Sequence, residues 1–230
     1  MPQLKIHAVS SSFPFITAFA TAFADVDAEV TWTVGDVTAV PREGRAFVSP
    51  ANGFLVMDGG IDEVYSGTMF PGVEAHAQAR LGTLTPARTT SGGRPYLPVG
   101  SAIAVPCGGT AAGSVPTYLV CAPTMFRPHD VSATRNAYHA FLAALCLAEK
   151  LMPLGVHTLV TTGLCCGYGR MPAERATAQM REAYDAFVAA GGAQRPAELE
   201  VHDGAFITEA VVEEQVAEEE APHEVRTLFV

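Results

Sequence analysis

The 230-residue sequence predicts an α/β domain, with a central mixed sheet between helical layers in a three-layer α/β/α arrangement. Three observations predict it. Short β-rich segments and helical segments alternate along most of the chain. Residues 156–162, β-branched or aliphatic apart from His157, read as a strand buried on both faces. The composition, 49% hydrophobic and 17% charged, is that of a chain with a sizeable core rather than a disordered one. Residues 1–195 are read as this domain and residues 196–230 as an acidic extension.

The elements follow in order. Residues 4–9 alternate and read as a strand, and residues 13–24 as a short helix capped by Ser11 or Ser12, with Pro14 in its first turn. The same stretch, with Lys5 ahead of an apolar run and Ala22-Phe23-Ala24 behind it, also resembles a secretion signal. The structural reading is preferred, because removing these residues would remove an opening βα unit. Residues 29–34 and 45–49 read as strands, residues 50–60 as a loop, and residues 61–70 as the start of a helix. Residues 82–100, rich in Thr, Gly, Pro and Arg, read as a surface excursion. Two further strands, 101–106 and 117–122, flank a turn at Gly108-Gly109-Thr110 and Gly113. The clearest helix is 132–152. Tyr138, Phe141, Leu142, Leu145, Ala148 and Met152 form its apolar stripe, Ser132 is placed to cap it, and Pro153 and Gly155 stop it. After the buried strand 156–162, Pro172 opens a second helix whose apolar face carries Ala176, Met180, Ala183, Tyr184 and Phe187, and Gly191-Gly192 ends it. Residues 205–212 read as an edge strand or a short helix. Residues 213–224 read as a solvated acidic tail.

Charge and cysteine usage narrow the function. Fourteen basic against 24 acidic residues give a formal charge of −10, which opposes bulk nucleic-acid binding but leaves room for a nucleotide held by backbone amides. The five cysteines are odd in number and show no zinc-ribbon spacing, so they read as core residues in a reducing, cytoplasmic setting, with no metal or cofactor expected. No stretch is read as reaching the ~20 apolar residues that span a bilayer, so no membrane partner is expected.

Two glycine-rich loops carry the chemistry. The first runs from Ser49-Pro50-Ala51-Asn52 to Asp58-Gly59-Gly60-Ile61-Asp62, between a buried strand and a helix. Adjacent glycines let main-chain amides approach an anion, and the helix start adds partial positive charge. The second, Thr162-Gly163-Leu164-Cys165-Cys166-Gly167-Tyr168-Gly169, has three glycines in seven residues between a strand and a helix. Neither is a dinucleotide fingerprint or a Walker loop. Together, on one sheet edge, they suit a diphosphate.

These residues resemble the macrodomain family, the ADP-ribose-binding module, and in particular its phage and bacterial branch. Gly35-Asp36-Val37-Thr38 is similar to the family's Gly-Asp-Ile-Thr, and Ser49-Pro50-Ala51-Asn52 to its Asn-Ala-Ala-Asn. Met57-Asp58-Gly59-Gly60-Ile61-Asp62 stands at its first glycine loop. Ala122-Pro123-Thr124-Met125 stands at its His-x-x-Pro segment, and residues 162–169 at its second loop. The order and spacing agree from about residue 29 to 192. The resemblance implies that Asp36 and Val37 hold adenine, that Asp58, Gly59, Gly60 and Ile61 face Cys165, Cys166, Gly167, Tyr168 and Gly169 across the diphosphate, that Thr124 and Met125 line the site, and that Asn52 meets the distal ribose. It also implies a possible hydrolase, with Asp62, ten residues after Asn52, activating water and Asn52 orienting the sugar. The ligand would be ADP-ribose, free or on a macromolecule. Three departures stand out: Ser49 for the first asparagine, Met57 and Asp58 for glycines, and Cys165-Cys166 for glycine or serine and threonine. Asp58 beside a diphosphate is unfavourable unless it points away or caps the next helix.

Two other classes remain open. One is a non-catalytic reader or interaction module, docking through residues 42–45, 82–100 or the acidic tail. The other is a thiol hydrolase using Cys165 or Cys166 at a helix start, with His76, His129, His139 or His157 as base. Spacing places none of these histidines beside the pair.

Overall fold

The computed structural model describes residues 4–26, 29–83, 88–108 and 114–190. The turn at Gly109, Thr110 and Gly113, the helix stop at Gly191-Gly192 and the extension from residue 196 lie outside the described residues.

A six-stranded sheet forms the middle layer. Its strands are β1 (Lys5–Ser10), β2 (Val30–Val34), β3 (Arg45–Ser49), β6 (Ile103–Gly108), β7 (Thr117–Cys121) and β8 (Thr158–Thr161), in the order β2-β1-β8-β3-β7-β6. All pairs are parallel except β6 with β7, so the sheet is mixed, as the sequence predicts. β8 lies between β1 and β3, the interior place its β-branched and aliphatic run calls for. β1 is bonded on both sides, so residues 4–22 open the fold as a βα unit, and Ser12 rather than Ser11 caps α1 (Phe13–Ala22) by accepting from the Phe15 amide at 3.4 Å.

Side chains alternate across the strands and so build two cores. Ala46, Val48, Val120 and Leu159 point to one face, where α1, α4 (Asn136–Leu151) and α5 (Ala173–Ala189) pack. Phe47, Leu119, Cys121 and Val160 point to the other, under Tyr65, Met69, Phe70, Val73, Ala77 and Leu81. The three layers follow from this period-two split. Phe141 on α4 is fully buried, as are Leu145 and Ala148 of the predicted stripe. Asn136–Leu154 reaches membrane-spanning length and hydropathy, which the sequence reading did not count; here the helix is a core helix packed on the sheet and on α5.

Four local expectations are corrected. α4 starts at Asn136, not Ser132, because residues 132–135 form turns in which the Ser132 amide donates to Asp130 and the Asn136 amide to the Thr134 hydroxyl. The helix expected at 61–70 is a single turn, α2 (Gly60–Glu63), followed by a π-helical turn, Val64–Met69, in which the Phe70 amide reaches Tyr65 O at 2.7 Å. Such i→i−5 turns are uncommon and concentrate near functional sites. Next comes an unpredicted helix, α3 (Val73–Thr83), whose apolar residues Val73, Ala77 and Leu81 stand one per turn among polar ones. Finally, the excursion at 82–100 is not all surface. It forms a small hairpin, β4 (Arg88–Thr89) with β5 (Pro95–Tyr96), and buries Tyr96, Leu97 and Val99.

Phe141→Ala empties a fully buried site at the centre of the larger core and is expected to cost about 3–5 kcal/mol in urea unfolding.

Candidate functional site

Parallel strands deliver their carboxyl ends to one edge, and ligands of open α/β sheets sit there. β1 ends at Ser10, β3 at Ser49, β7 at Cys121 and β8 at Thr161. The segments that follow enclose a cleft of about 670 Å³.

The cleft's first wall is loop 1, residues 50–62. It is zipped to the segment after β7: the Thr124 amide donates to Ala51 O at 3.0 Å, the Thr124 hydroxyl to Pro50 O at 2.7 Å, and the Gly53 amide to Met125 O at 2.9 Å. Buried Asn136 on α4 holds Thr124 O at 2.8 Å, so the core helix braces the wall. The second wall is loop 2, residues 162–171. Met171 and Val131 amides fasten it by donating to Cys165 O and Gly169 O. Cys165 adopts φ +63°, a left-handed conformation that costs a non-glycine residue of order 1 kcal/mol. A Cβ on Gly169 would stand 2.6 Å from Cys165 O and 2.7 Å from Val131 Cγ2, so only glycine fits there. Tyr168, 70% exposed, reaches back across the gap: its ring lies 3.2 Å from where a Cβ on Gly59 would be, and so spans the two loops.

Every residue expected at the site lines the cleft: Asp36, Val37, Asn52, Asp58, Gly59, Gly60, Ile61, Asp62, Thr124, Met125, Cys165, Cys166, Gly167, Tyr168 and Gly169. Sequence reasoning missed Ser10, Ser11, Ser12 and Phe15, which close the cleft from the start of α1, and Pro128. The strand-end rule applied to β1 finds the serines. Pro128 has no comparable signal.

The main chain is the cleft's principal donor. Among the described residues, the N–H groups of Gly59, Gly60, Cys165, Gly167, Tyr168 and Gly169 donate no hydrogen bond. Among the described residues no Lys or Arg lines the cleft, whose charged side chains are Asp36, Asp58 and Asp62; Arg170 and His129 line an adjoining cavity that shares Gly60, Pro128, Gly167 and Tyr168 with it. An anion here would be held by neutral amides and by the partial charge of helix starts. No cluster of three or more His, Cys, Asp or Glu suited to a metal occurs among the described residues.

The side chains divide by role. Asp36 caps a 3-10 turn, Val37–Ala39: its Oδ1 accepts from the Thr38 amide and hydroxyl, both at 2.8 Å, and these bonds hold its carboxyl below the usual range. Asn52 is largely occupied by its own loop. Its Nδ2 donates to Val56 O at 2.8 Å, and its Oδ1 accepts from the amides of Phe54 and Val56. It therefore fastens loop 1, with one amide hydrogen left over. Asp58 does not cap α2, whose cap position is Gly59; it is exposed at the cleft mouth. Asp62, in the first turn of α2, is half-buried and accepts from the Ser49 hydroxyl at 2.6 Å. Desolvation pushes its carboxyl up to about 7, Asp58 and Glu74 push in the same direction, and the Ser49 hydrogen bond opposes them.

The thiol reading fails on geometry and charge. α5 begins at Ala173, well past the pair, so neither cysteine sits at a helix start. Burial pushes Cys165 up to about 12 and Cys166 up to about 11, leaving both protonated at neutral pH. No histidine lines the cleft, and all five cysteines are free.

The fold and cleft define an α/β/α domain with a nucleotide-sized, amide-lined site at the carboxyl edge of a mixed sheet. No family model matches the chain, and no curated protein matches it. Among solved structures it is similar to the macrodomain of Mycobacterium tuberculosis DarG, at 17% identity and a TM-score of 0.49, over 68% of this chain and 90% of that one. It is also similar to a macrodomain mutant of Oceanobacillus iheyensis with ADPR, at 11% identity and a TM-score of 0.39, over 67% and 91%. These likenesses concern overall path, and the reading of the site rests on the residues described above.

Two outcomes follow. Gly169→Ala forces backbone against backbone and is expected to destabilise by about 1–3 kcal/mol in calorimetry, while Gly167→Ala, with open space at its Cβ, does not. Asp62 keeps its proton in the folded chain from about pH 4 to 7, where the unfolded chain has lost it, so the stability it contributes is lost as pH rises through about 7. Asp62→Asn should therefore raise Tm over the parent more at pH 8 than at pH 4, in thermal scans at both values.

Proposed function

We propose that this chain is a macrodomain that binds ADP-ribose and hydrolyses the bond between its distal ribose and an attached group. The observation that carries the proposal is the pair of facing loops with unclaimed amides, Gly59-Gly60 and Cys165 to Gly169, across a cleft with an aspartate near each end. The cleft volume lies within the ~300–1,000 Å³ usual for small-molecule sites. The paired amides suit a diphosphate, which needs several donors and tolerates the absence of cations when main-chain dipoles converge on it. Asp36 keeps Oδ2 free to accept from an adenine amino group, with buried Val37 beneath the ring. Asn52 offers its remaining amide hydrogen to a ribose hydroxyl.

Asp62 supplies the chemistry. A carboxylate that titrates near 7 is a competent base at neutral pH. It accepts a proton from water, the resulting hydroxide attacks the anomeric carbon, and the bond to the attached group breaks. The leaving atom regains a proton from solvent. The products are ADP-ribose and the freed group.

Calorimetry with ADP-ribose should give micromolar binding that AMP does not match. Because the charged side chains lining the cleft among the described residues are all aspartates, added salt should not weaken the affinity. With an ADP-ribosyl acetate ester as substrate, turnover should rise with pH through about 7. Asp62→Ala should lower it at least about 100-fold while ADP-ribose affinity stays within a few-fold. Binding with no turnover by the parent chain would make it a reader; absence of binding by the folded protein would overturn the proposal altogether.

A further inference from the structure

Ser49 does not itself line the cleft, but it bonds to Asp62, which does. It is the last residue of β3 and is fully buried. In register it pairs with Cys121 on β7, and Phe47, two residues earlier, faces the same core. From this fixed strand end its hydroxyl crosses to α2 and donates to Asp62 Oδ1 at 2.6 Å, a bond that spans thirteen residues of chain. Oδ2 has no hydrogen-bond partner among the described residues.

We propose that Ser49 is a positioning residue for Asp62: by clamping Oδ1 from the sheet it turns Oδ2 toward the cleft and favours the carboxylate over the acid. This rests on Asp62 being the base of the reaction proposed above. Every other group facing Asp62 works the opposite way or is silent. Asp58 and Glu74 add negative charge and disfavour ionisation. Tyr65, on the turn that follows α2, is fully buried, and its hydroxyl has no partner among the described residues. Cys121, beside Ser49, is a buried thiol that burial keeps protonated. Among the described residues Ser49 is thus the sole side-chain donor to this carboxylate. A short hydrogen bond from a rigid strand to a charged acceptor is among the stronger kinds, and removing it leaves the buried charge uncompensated.

The experiment is direct titration of Asp62 by carbon NMR in protein labelled at the aspartate carboxyl carbons, with the signal assigned through Asp62→Asn. Ser49→Ala should move the midpoint upward by about one to two pH units. Ser49→Thr, which keeps the hydroxyl, should return it to within a few tenths of the parent. The pH profile of ester turnover should shift with the midpoint, while ADP-ribose affinity by calorimetry stays near the parent's. If alanine unfolds the chain, Ser49→Cys replaces the hydroxyl with a weaker donor of similar volume and should still raise the midpoint. An unchanged or lowered midpoint in a folded variant, or a threonine variant that behaves like alanine, overturns the role. A parent chain that neither binds ADP-ribose nor turns over the ester removes the proposed function, yet the NMR midpoint still decides whether Ser49 governs Asp62.

Discussion

The parallel pairing of β3 with β8 is the constraint on which the site depends. Ala46 lies opposite Leu159 and Phe47 opposite Val160, so the two strands end level and release their loops side by side. Had β3 slipped by one residue, Phe47 would leave its core for the opposite face, at the cost of a large buried side chain. The hydrophobic pattern that fixes the register therefore also fixes the gap between Gly59 and Tyr168. β1 and β7 flank the pair and add the α1 start and the Thr124 brace. The sheet sets where the loops emerge, and side-chain bonds such as Thr124 to Pro50 O and Asn136 to Thr124 O then fasten the wall.

A cleft built this way must bind through its backbone. The protein is acidic, and among the described residues its cleft holds three aspartates and no cation, so its lining side chains offer a phosphate no Coulomb attraction. Fixed amides can hold it, because their desolvation is paid when the protein folds and their dipoles need no reorganisation. The aspartates are kept from opposing this by separation of roles. Asp36 remains charged, with one carboxylate oxygen satisfied by the Thr38 donors, and Asp58 stays exposed, where water screens it. Asp62 is the one whose charge is costly: desolvation, helped by Asp58 and Glu74 and opposed by the Ser49 hydrogen bond, brings its titration into the neutral range.

The sheet and the loops were legible in the sequence because each rests on a local signal. Alternation marks β1, a β-branched and aliphatic run marks β8, and Gly-Gly or Gly-Tyr-Gly after a strand marks a loop where the backbone must come close. What escaped lacks such a signal or is decided by tertiary contacts. α3 reads as polar, since a helix that buries one residue per turn against β6 has almost no amphipathic contrast. Ser132 is a sound cap by type, but Asp130 and Thr134 claim the turn first. The π-helical turn has no sequence rule at all; it accommodates buried Tyr65 and Phe70, whose rings stack with centroids 6.3 Å apart. All the expected cleft residues could be gathered from motif order alone. Their occupations could not, and Asn52, matched to a ribose by its place in the motif, turns out to be mostly engaged in holding its own loop.

The residues that depart from the motifs this sequence resembles become coherent once backbone and side chain are considered separately. Cys165, where the resembled motif has glycine or serine, adopts the left-handed conformation with its thiol buried beside Thr124. Asp58 replaces a glycine at a position open to solvent, where a side chain adds no clash. Ser49, where the resembled motif has asparagine, ends β3 with its hydroxyl bonded to Asp62 on α2. Two of these departures thus leave the direction of the main chain to the sheet and loops, while the third bears on the one cleft carboxylate that desolvation raises.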